Sequence, residues 1–203
     1  KYGDSRPALV LNSPKRSTPA STENFTKSWA SGSAWVGAAE ITVGFRLVTL
    51  NLNGIRSAAS KGFIDWAAQA AADCIGVQEV KAQAGDVSGR FERIGDLHGH
   101  FHFAQKKGYS GVGLYTRRSP SAIITGFGSD EFDAEGRYVE ARFDTHRRRF
   151  SVISCYFPSG SSGPERQEAK YRFLAQIEPH LRRLAAEREF VLVGDVNIAH
   201  KEI

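Results

Sequence analysis

An α/β domain is the fold class that residues 45–203 predict, and three observations predict it. Short apolar runs of strand length alternate with segments whose apolar residues recur at helical spacing. Two runs with period-two alternation flank a polar turn, the pattern of a hairpin. A long amphipathic stretch near the end leads directly into a buried apolar run. With 41% apolar and 24% charged residues, the 203-residue chain can bury one sizeable core, since single domains commonly hold about 100–200 residues.

Residues 1–44 are rich in Ser, Thr, Ala, Gly and Pro without a sustained period and read as a flexible extension, with Trp29 and Trp35 as isolated aromatics in it. Residues 45–53 read as a strand, with Val48, Leu50 and Leu52 on one face and Leu47, Thr49, Asn51 and Asn53 on the other. Residues 63–72 carry Phe63, Trp66, Ala67, Ala70 and Ala71 at helical spacing, and residues 74–78 are a short buried strand ending at Glu79. Residues 98–102 hold His98, His100 and His102. With Gly interleaved and no Cys or carboxylate at ligand spacing, they are expected to be a solvated loop rather than a metal clip.

Residues 111–116 and 121–125 are expected strands, and residues 138–144 and 149–157 form the hairpin around residues 145–148. Residues 164–189 repeat Ala169, Phe173, Ile177, Leu181 and Leu184 as an amphipathic helix that Pro179 is placed to kink. Residues 190–193 are the last buried strand, running into Gly194-Asp195-Val196-Asn197.

Composition bounds the function without choosing it. A formal net charge of +5 and a pI near 9.3 permit a polyanionic partner, because clustered Lys and Arg release counterions from phosphates. Five of the 27 basic and three of the 22 acidic residues precede Phe45, so the remainder is only mildly basic. Cys74 and Cys155 sit inside apolar runs, where buried reduced thiols are usual, and a reducing intracellular setting is expected. No apolar stretch nears the roughly 20 residues that span a bilayer, and no signal-peptide layout opens the chain. Methionine is absent even at position 1, so the first residue is expected not to be a natural translation start. Gly111 and Gly113 make no dinucleotide fingerprint, and nucleotide cofactors are not indicated.

Polar residues collect where the strands end: Asn51 and Asn53 after the first, Glu79 after the second, Tyr156 in the hairpin, Asp195 and Asn197 after the last. If those strands are neighbours, carboxylate and amide oxygens share an edge and make a hard-cation site suited to Mg²⁺. Singly, each has an ordinary reading: Glu79 as a solvated carboxylate, Asp195-Val196-Asn197 as a turn, Asn51 as a partner for edge backbone, Tyr156 as a half-buried aromatic. Only the joint pattern points to a site. The basic run Arg147-Arg148-Arg149 reads as a solvated hairpin tip and is left outside it.

Six strings occur in order: Leu50-Asn51-Leu52-Asn53-Gly54-Ile55-Arg56, Val77-Gln78-Glu79-Val80-Lys81, Gly108-Tyr109-Ser110-Gly111-Val112-Gly113, Glu135-Gly136-Arg137-Tyr138, Tyr156-Phe157-Pro158-Ser159-Gly160 and Gly194-Asp195-Val196-Asn197-Ile198. Together they resemble the exonuclease III family of abasic-site endonucleases, from about Phe45 to Ile203. The resemblance implies a four-layered α/β sandwich of two packed mixed sheets flanked by helices. It also implies Mg²⁺, with Mn²⁺ as an alternative, held by Glu79 with Asn51, Asp195 and Asn197 around it. Asp195 would align or deprotonate the attacking water, Asn197 would hold the phosphate, and Tyr156 would donate to a phosphate oxygen or support the leaving group. Arg56, Lys81 and Tyr109 would lie along the DNA backbone or beside the metal.

The implied activity is incision 5′ to abasic sites and trimming or cleaning of 3′ ends, in base excision repair, by a monomer acting on double-stranded DNA at the nucleoid of a bacterial-type cytoplasm. The family's pattern continues with a further Asp and an Asp-His pair. None of His98, His100, His102, His146, His180 or His200 sits in that setting. His200 follows Asp195 closely, yet adjacency does not supply the opposing geometry of a general base. The chain is therefore expected to end before the site and the second sheet are complete. Two other readings stand beside this one: a catalytically inactive DNA-binding module, and a phosphoesterase for lipid headgroups or inositol phosphates that shares the Asp-x-Asn strand.

Overall fold

Strand β1 (Leu47–Asn51) shows how sequence pattern becomes layers. Val48 faces a helical layer, Leu47 faces a second sheet, and Asn51 ends the strand at the sheet edge. The computed structural model describes residues 44–161 and 163–198. The predicted extension, apart from Gly44, and His200 lie outside them.

After β1 come helices α1 (Ile55–Ser60) and α2 (Phe63–Gln69) and strand β2 (Cys74–Gln78). Next are α3 (Ala84–Val87), β3 (Arg93–Ile94), β4 (Leu97–His102), β5 (Val112–Thr116) and β6 (Ala122–Thr125). The chain continues through α4 (Asp130–Asp133), β7 (Tyr138–Arg142), β8 (Phe150–Tyr156), α5 (Pro164–Glu187) and β9 (Glu189–Asp195). One sheet has the order β1-β2-β5-β4-β3 and the other β6-β7-β8-β9. Each is mixed. The pairs β1·β2 and β8·β9 are parallel and the remaining pairs antiparallel.

Three apolar clusters hold the layers. Ile55, Phe63 and Ala67 of α1 and α2 pack on Ile75, Val77 and Tyr115, the outer face of the first sheet. Cys74, Val112 and Leu114 meet Val139, Ala141 and Val152 between the sheets. Phe173, Ile177 and Leu184 of α5 cover Tyr138, Ile153, Cys155 and Leu192 on the outer face of the second. Helices, sheet, sheet and helix make the expected four layers. The sheets approach so closely at β2 that a Cβ on Gly76 would lie 2.8 Å from a Val193 methyl.

Cys74–Gln78 is the strand read from the sequence, and all five residues are buried. Helix α5 continues through Pro179, whose ring removes only the bond to the Ala175 carbonyl. The expectation for residues 98–102 is overturned. They belong to β4, where alternation puts His98, His100 and His102 on one face. His102 Nδ1 lies 2.9 Å from the Tyr138 carbonyl, and His100 Nε2 lies 3.2 Å from the Thr116 hydroxyl. The ladder to β5 outweighs the poor strand propensity of Gly and His here.

Candidate active site

All four parallel-paired strands deliver their carboxyl ends to one edge of the sandwich, because β1 stands beside β2, β8 beside β9, and the two pairs pack across the sheet interface. The antiparallel strands β5 and β7 begin at that edge, so the loops before Val112 and Tyr138 rise there too. The turn carrying Arg147, Arg148 and Arg149 is at the far edge, away from the residues below.

Asn51 is the joint between the sheets. Its Nδ2 donates to Glu79 Oε1 at 2.9 Å and to Asp195 Oδ2 at 3.1 Å. Its Oδ1 accepts the Asn53 backbone N–H at 3.0 Å, which fixes the amide's orientation. Lys81 Nζ pairs with Glu79 Oε2 at 2.7 Å and donates to Asn53 Oδ1 at 2.6 Å. Burial pulls the Glu79 pKa up, but hydrogen bonds from Asn51 and Lys81, the Lys81 charge and the Tyr156 hydroxyl outweigh it and hold the carboxyl below its ordinary value. Tyr156 goes the other way: burial, then the charge and hydrogen bond of Glu79, push its phenol well up, so it is a proton donor at neutral pH.

Backbone strain concentrates here. Asn53, Glu79, Lys81, Ser110 and Asn197 have φ between 45° and 51°, a region that non-glycine residues adopt only where their surroundings dictate it, at about 1 kcal/mol or more each. The surroundings do so through cross-loop bonds. Gly54 N–H donates to the Glu79 carbonyl (2.7 Å), Lys81 N–H to the Ser110 carbonyl (2.8 Å), and Phe157 N–H to the Asp195 carbonyl (2.9 Å). Gly194 sets up Asp195 from within β9. Its φ is 147°, and a Cβ would fall 1.8 Å from the Cys155 carbonyl oxygen. No other residue fits there.

The remaining expected residues divide. Asn197 Nδ2 donates to the Phe157 carbonyl at 3.0 Å, and its own carbonyl accepts Lys170 Nζ at 2.8 Å. The Tyr109 hydroxyl receives Arg137 Nη2 at 2.9 Å and Arg166 Nη1 at 3.2 Å. Arg56 is exposed on α1 and paired with Asp86 at 2.8 Å, with no bond to the Asn51–Glu79 group.

Several participants escaped sequence reading. Arg137, buried beneath Tyr156, joins Glu135 to Tyr109. The Lys106 ammonium lies 5.5 Å above the Tyr109 ring. Under the site, Gln78 Nε2 donates to Ser154 Oγ at 2.9 Å and to Thr49 Oγ1 at 3.2 Å, a polar seam through an otherwise apolar interface. One polar residue at the end of the run Cys-Ile-Gly-Val-Gln was its only trace in the sequence.

The edge can hold a hard cation chemically: the carboxylates of Glu79 and Asp195 converge within hydrogen-bond reach of one amide. Among the described residues no three His, Cys, Asp or Glu side chains form a ready-made metal cluster. The donor pair itself is of the kind that a hard cation keeping several of its waters accepts.

Comparison with known proteins assigns the family. Residues 48–203 match the Endonuclease/Exonuclease/phosphatase family. An exodeoxyribonuclease of Bacillus subtilis is 32% identical over 159 residues, 78% of this chain and 60% of that protein. Exodeoxyribonuclease III of Haemophilus influenzae is 31% identical over 78% of this chain and 59% of its own length. The DNA repair nuclease APEX1 of Danio rerio is 30% identical over 78% of this chain and 50% of its length. Among solved structures, the catalytic domain of Xenopus laevis APE2 superposes with a TM-score of 0.65 at 26% identity, covering 76% of this chain and 59% of that one. An AP endonuclease from Archaeoglobus fulgidus gives a TM-score of 0.63 at 25% identity, over 76% of this chain and 58% of that one. The chain thus spans 60% or less of the length of these relatives. The chain belongs to the endonuclease/exonuclease/phosphatase family.

Proposed function

We propose that this edge is the metal-dependent phosphodiesterase site of a DNA repair nuclease, one that cuts the backbone beside abasic sites and trims or cleans 3′ ends. The observation that carries the reading is the Asn51 amide bridging the Glu79 and Asp195 carboxylates, one from each sheet. Hydrolysis of a phosphodiester needs neutralisation of developing charge, an aligned water and donors to the nonbridging oxygens.

Glu79 and Asp195 are the groups that would hold Mg²⁺ or Mn²⁺. When bound, the ion supplies Lewis-acid stabilisation of the phosphate's charge. Asn51 keeps both carboxylates aligned. Asp195, at the tip of β9, is the group to orient the attacking water. Tyr156, protonated at neutral pH, donates to a phosphate oxygen or to the leaving group. Lys81 offsets the Glu79 charge before the cation enters. Lys106, Tyr109 and Arg166 form a basic, aromatic rim that fits a DNA backbone. The names of the relatives, exodeoxyribonuclease and AP endonuclease, favour DNA over lipid or inositol phosphates as substrate.

The test is incision of a labelled duplex bearing one abasic-site analogue, with Mg²⁺ or chelator, beside an undamaged duplex and a lipid phosphodiester. Cutting confined to the lesion and to Mg²⁺, lost in Glu79→Gln and Asp195→Asn, supports the reading. Turnover of the lipid substrate alone overturns it.

A further inference from the structure

We infer that Arg137 is a positioning residue for this site, a buried brace that sets the Tyr156 ring and the Tyr109 hydroxyl relative to each other. The inference rests on the phosphodiesterase reading of the edge. Arg137 lies at the entry to β7, and its side chain is 3% exposed. Each arm of the guanidinium has its own partner: Nε donates to Glu135, Nη1 to the Tyr156 backbone carbonyl at 3.1 Å, and Nη2 to the Tyr109 hydroxyl at 2.9 Å. The guanidinium carbon also lies 4.9 Å from the Tyr156 ring centre and 5.8 Å from that of Tyr109.

That geometry uses what is specific to arginine, a rigid planar fork that directs several donors at once. It joins four parts of the chain: the loop before β5, the loop before β7, the end of β8 and, through Arg166 on the same phenol oxygen, the first turn of α5. The Arg137 carbonyl closes the tie by accepting the Tyr156 N–H at 2.9 Å. Glu135 offsets the buried charge, as a desolvated guanidinium requires. Arg137 touches neither Glu79 nor Asp195 in any hydrogen bond of the described residues, so it acts through the two tyrosines.

The experiment has two readouts on the whole chain. The protein is labelled with 3-fluorotyrosine, and the ¹⁹F signals of Tyr109 and Tyr156 are assigned with Tyr109→Phe and Tyr156→Phe. In Arg137→Lys, which keeps the charge and loses the fork, both signals are expected to shift or broaden while that of exposed Tyr171 on α5 stays. Unchanged Tyr109 and Tyr156 signals in folded Arg137→Lys overturn the brace. If that variant does not fold, Tyr109→Phe serves instead: removing the shared hydroxyl must move the Tyr156 signal, and an unmoved signal overturns the proposal.

The second readout is a double-mutant cycle of abasic-site incision. Arg137→Lys is expected to lower kcat about tenfold, the worth of one well-placed hydrogen bond, with a smaller change in KM. It should add little in the Tyr156→Phe background, and fully additive losses overturn the proposal. If the unmodified chain does not incise, that outcome counts against the phosphodiesterase reading alone, and the ¹⁹F signals still decide the brace.

Discussion

Replacing Gly194 by alanine tests the way β9 presents Asp195. The added Cβ would lie 1.8 Å from the Cys155 carbonyl oxygen, and real Cβ contacts essentially never fall under 3.0 Å, so β9 must retreat from β8 by about 1 Å. A shift of that size stretches the 3.1 Å bond between Asn51 and Asp195 beyond hydrogen-bond range. Backbone strain of about 1–3 kcal/mol adds to overpacking of about 1–3 kcal/mol. The total, about 4 kcal/mol, corresponds to a loss on the order of 10 °C in Tm for a domain of this size. Gly62→Ala is the control, because Gly62 has φ 91° with open space around it and tests the dihedral without the overlap. Its expected cost is about 1 kcal/mol. Thermal melts and Mg²⁺-supported incision are the assays. A Gly194→Ala protein with the Tm of Gly62→Ala and unreduced incision would refute the reasoning.

Three further outcomes follow from side-chain environments. Glu79 is depressed in the folded state, so its contribution to stability is full above the unfolded carboxylate value of about 4.3 and is lost as pH falls through its lower folded value. Melts in chelator should therefore lose less stability over that acid window in Glu79→Gln than in the parent, and identical profiles contradict the assignment. Burial pushes the Cys74 thiol up to about 12 and that of Cys155 higher still, so a thiol reagent at pH 8 should label neither until denaturant exposes both. Rapid labelling of the native protein would contradict this. Glu140 is fully buried and accepts bonds from Arg142, Ser151 and Tyr138. Glu140→Leu leaves Arg142 and two hydroxyls without it and should cost about 3–5 kcal/mol, and a loss under about 1 kcal/mol in denaturant titrations would speak against it.

The sequence disclosed what repeats. Cys74–Gln78 is apolar throughout because both its faces are covered, and α5 shows its buried stripe of Phe173, Ile177 and Leu184 at helical spacing. The ends of strands were legible for the same reason: Glu79 and Asp195 interrupt apolar runs where a carboxylate has no packing role. Helix α1 was not legible, since only Ile55 of its six residues is buried and no period can form. Strand β4 was hidden because its partner β5, not its own Gly and His residues, makes it a strand. Arg137 sits in one of the motif strings, yet only Glu135 of its three partners is local; Tyr109 and Tyr156 come from distant segments, and no local spacing encodes that fork. Arg56 shows the opposite: prominent in a motif, it is placed on an exposed surface with Asp86.

The polar cluster takes Asn51 and Glu79 from one sheet and Tyr156 and Asp195 from the other, and Gln78 and Ser154 stitch the seam below it. A chain in which only one sheet has assembled carries half of this cluster and therefore none of its chemistry. On the phosphodiesterase reading proposed above, hydrolytic competence would require both sheets to be docked. Any phosphate or cation that bridges the two halves would in turn raise the cost of pulling them apart, so substrate would act as a latch on the seam.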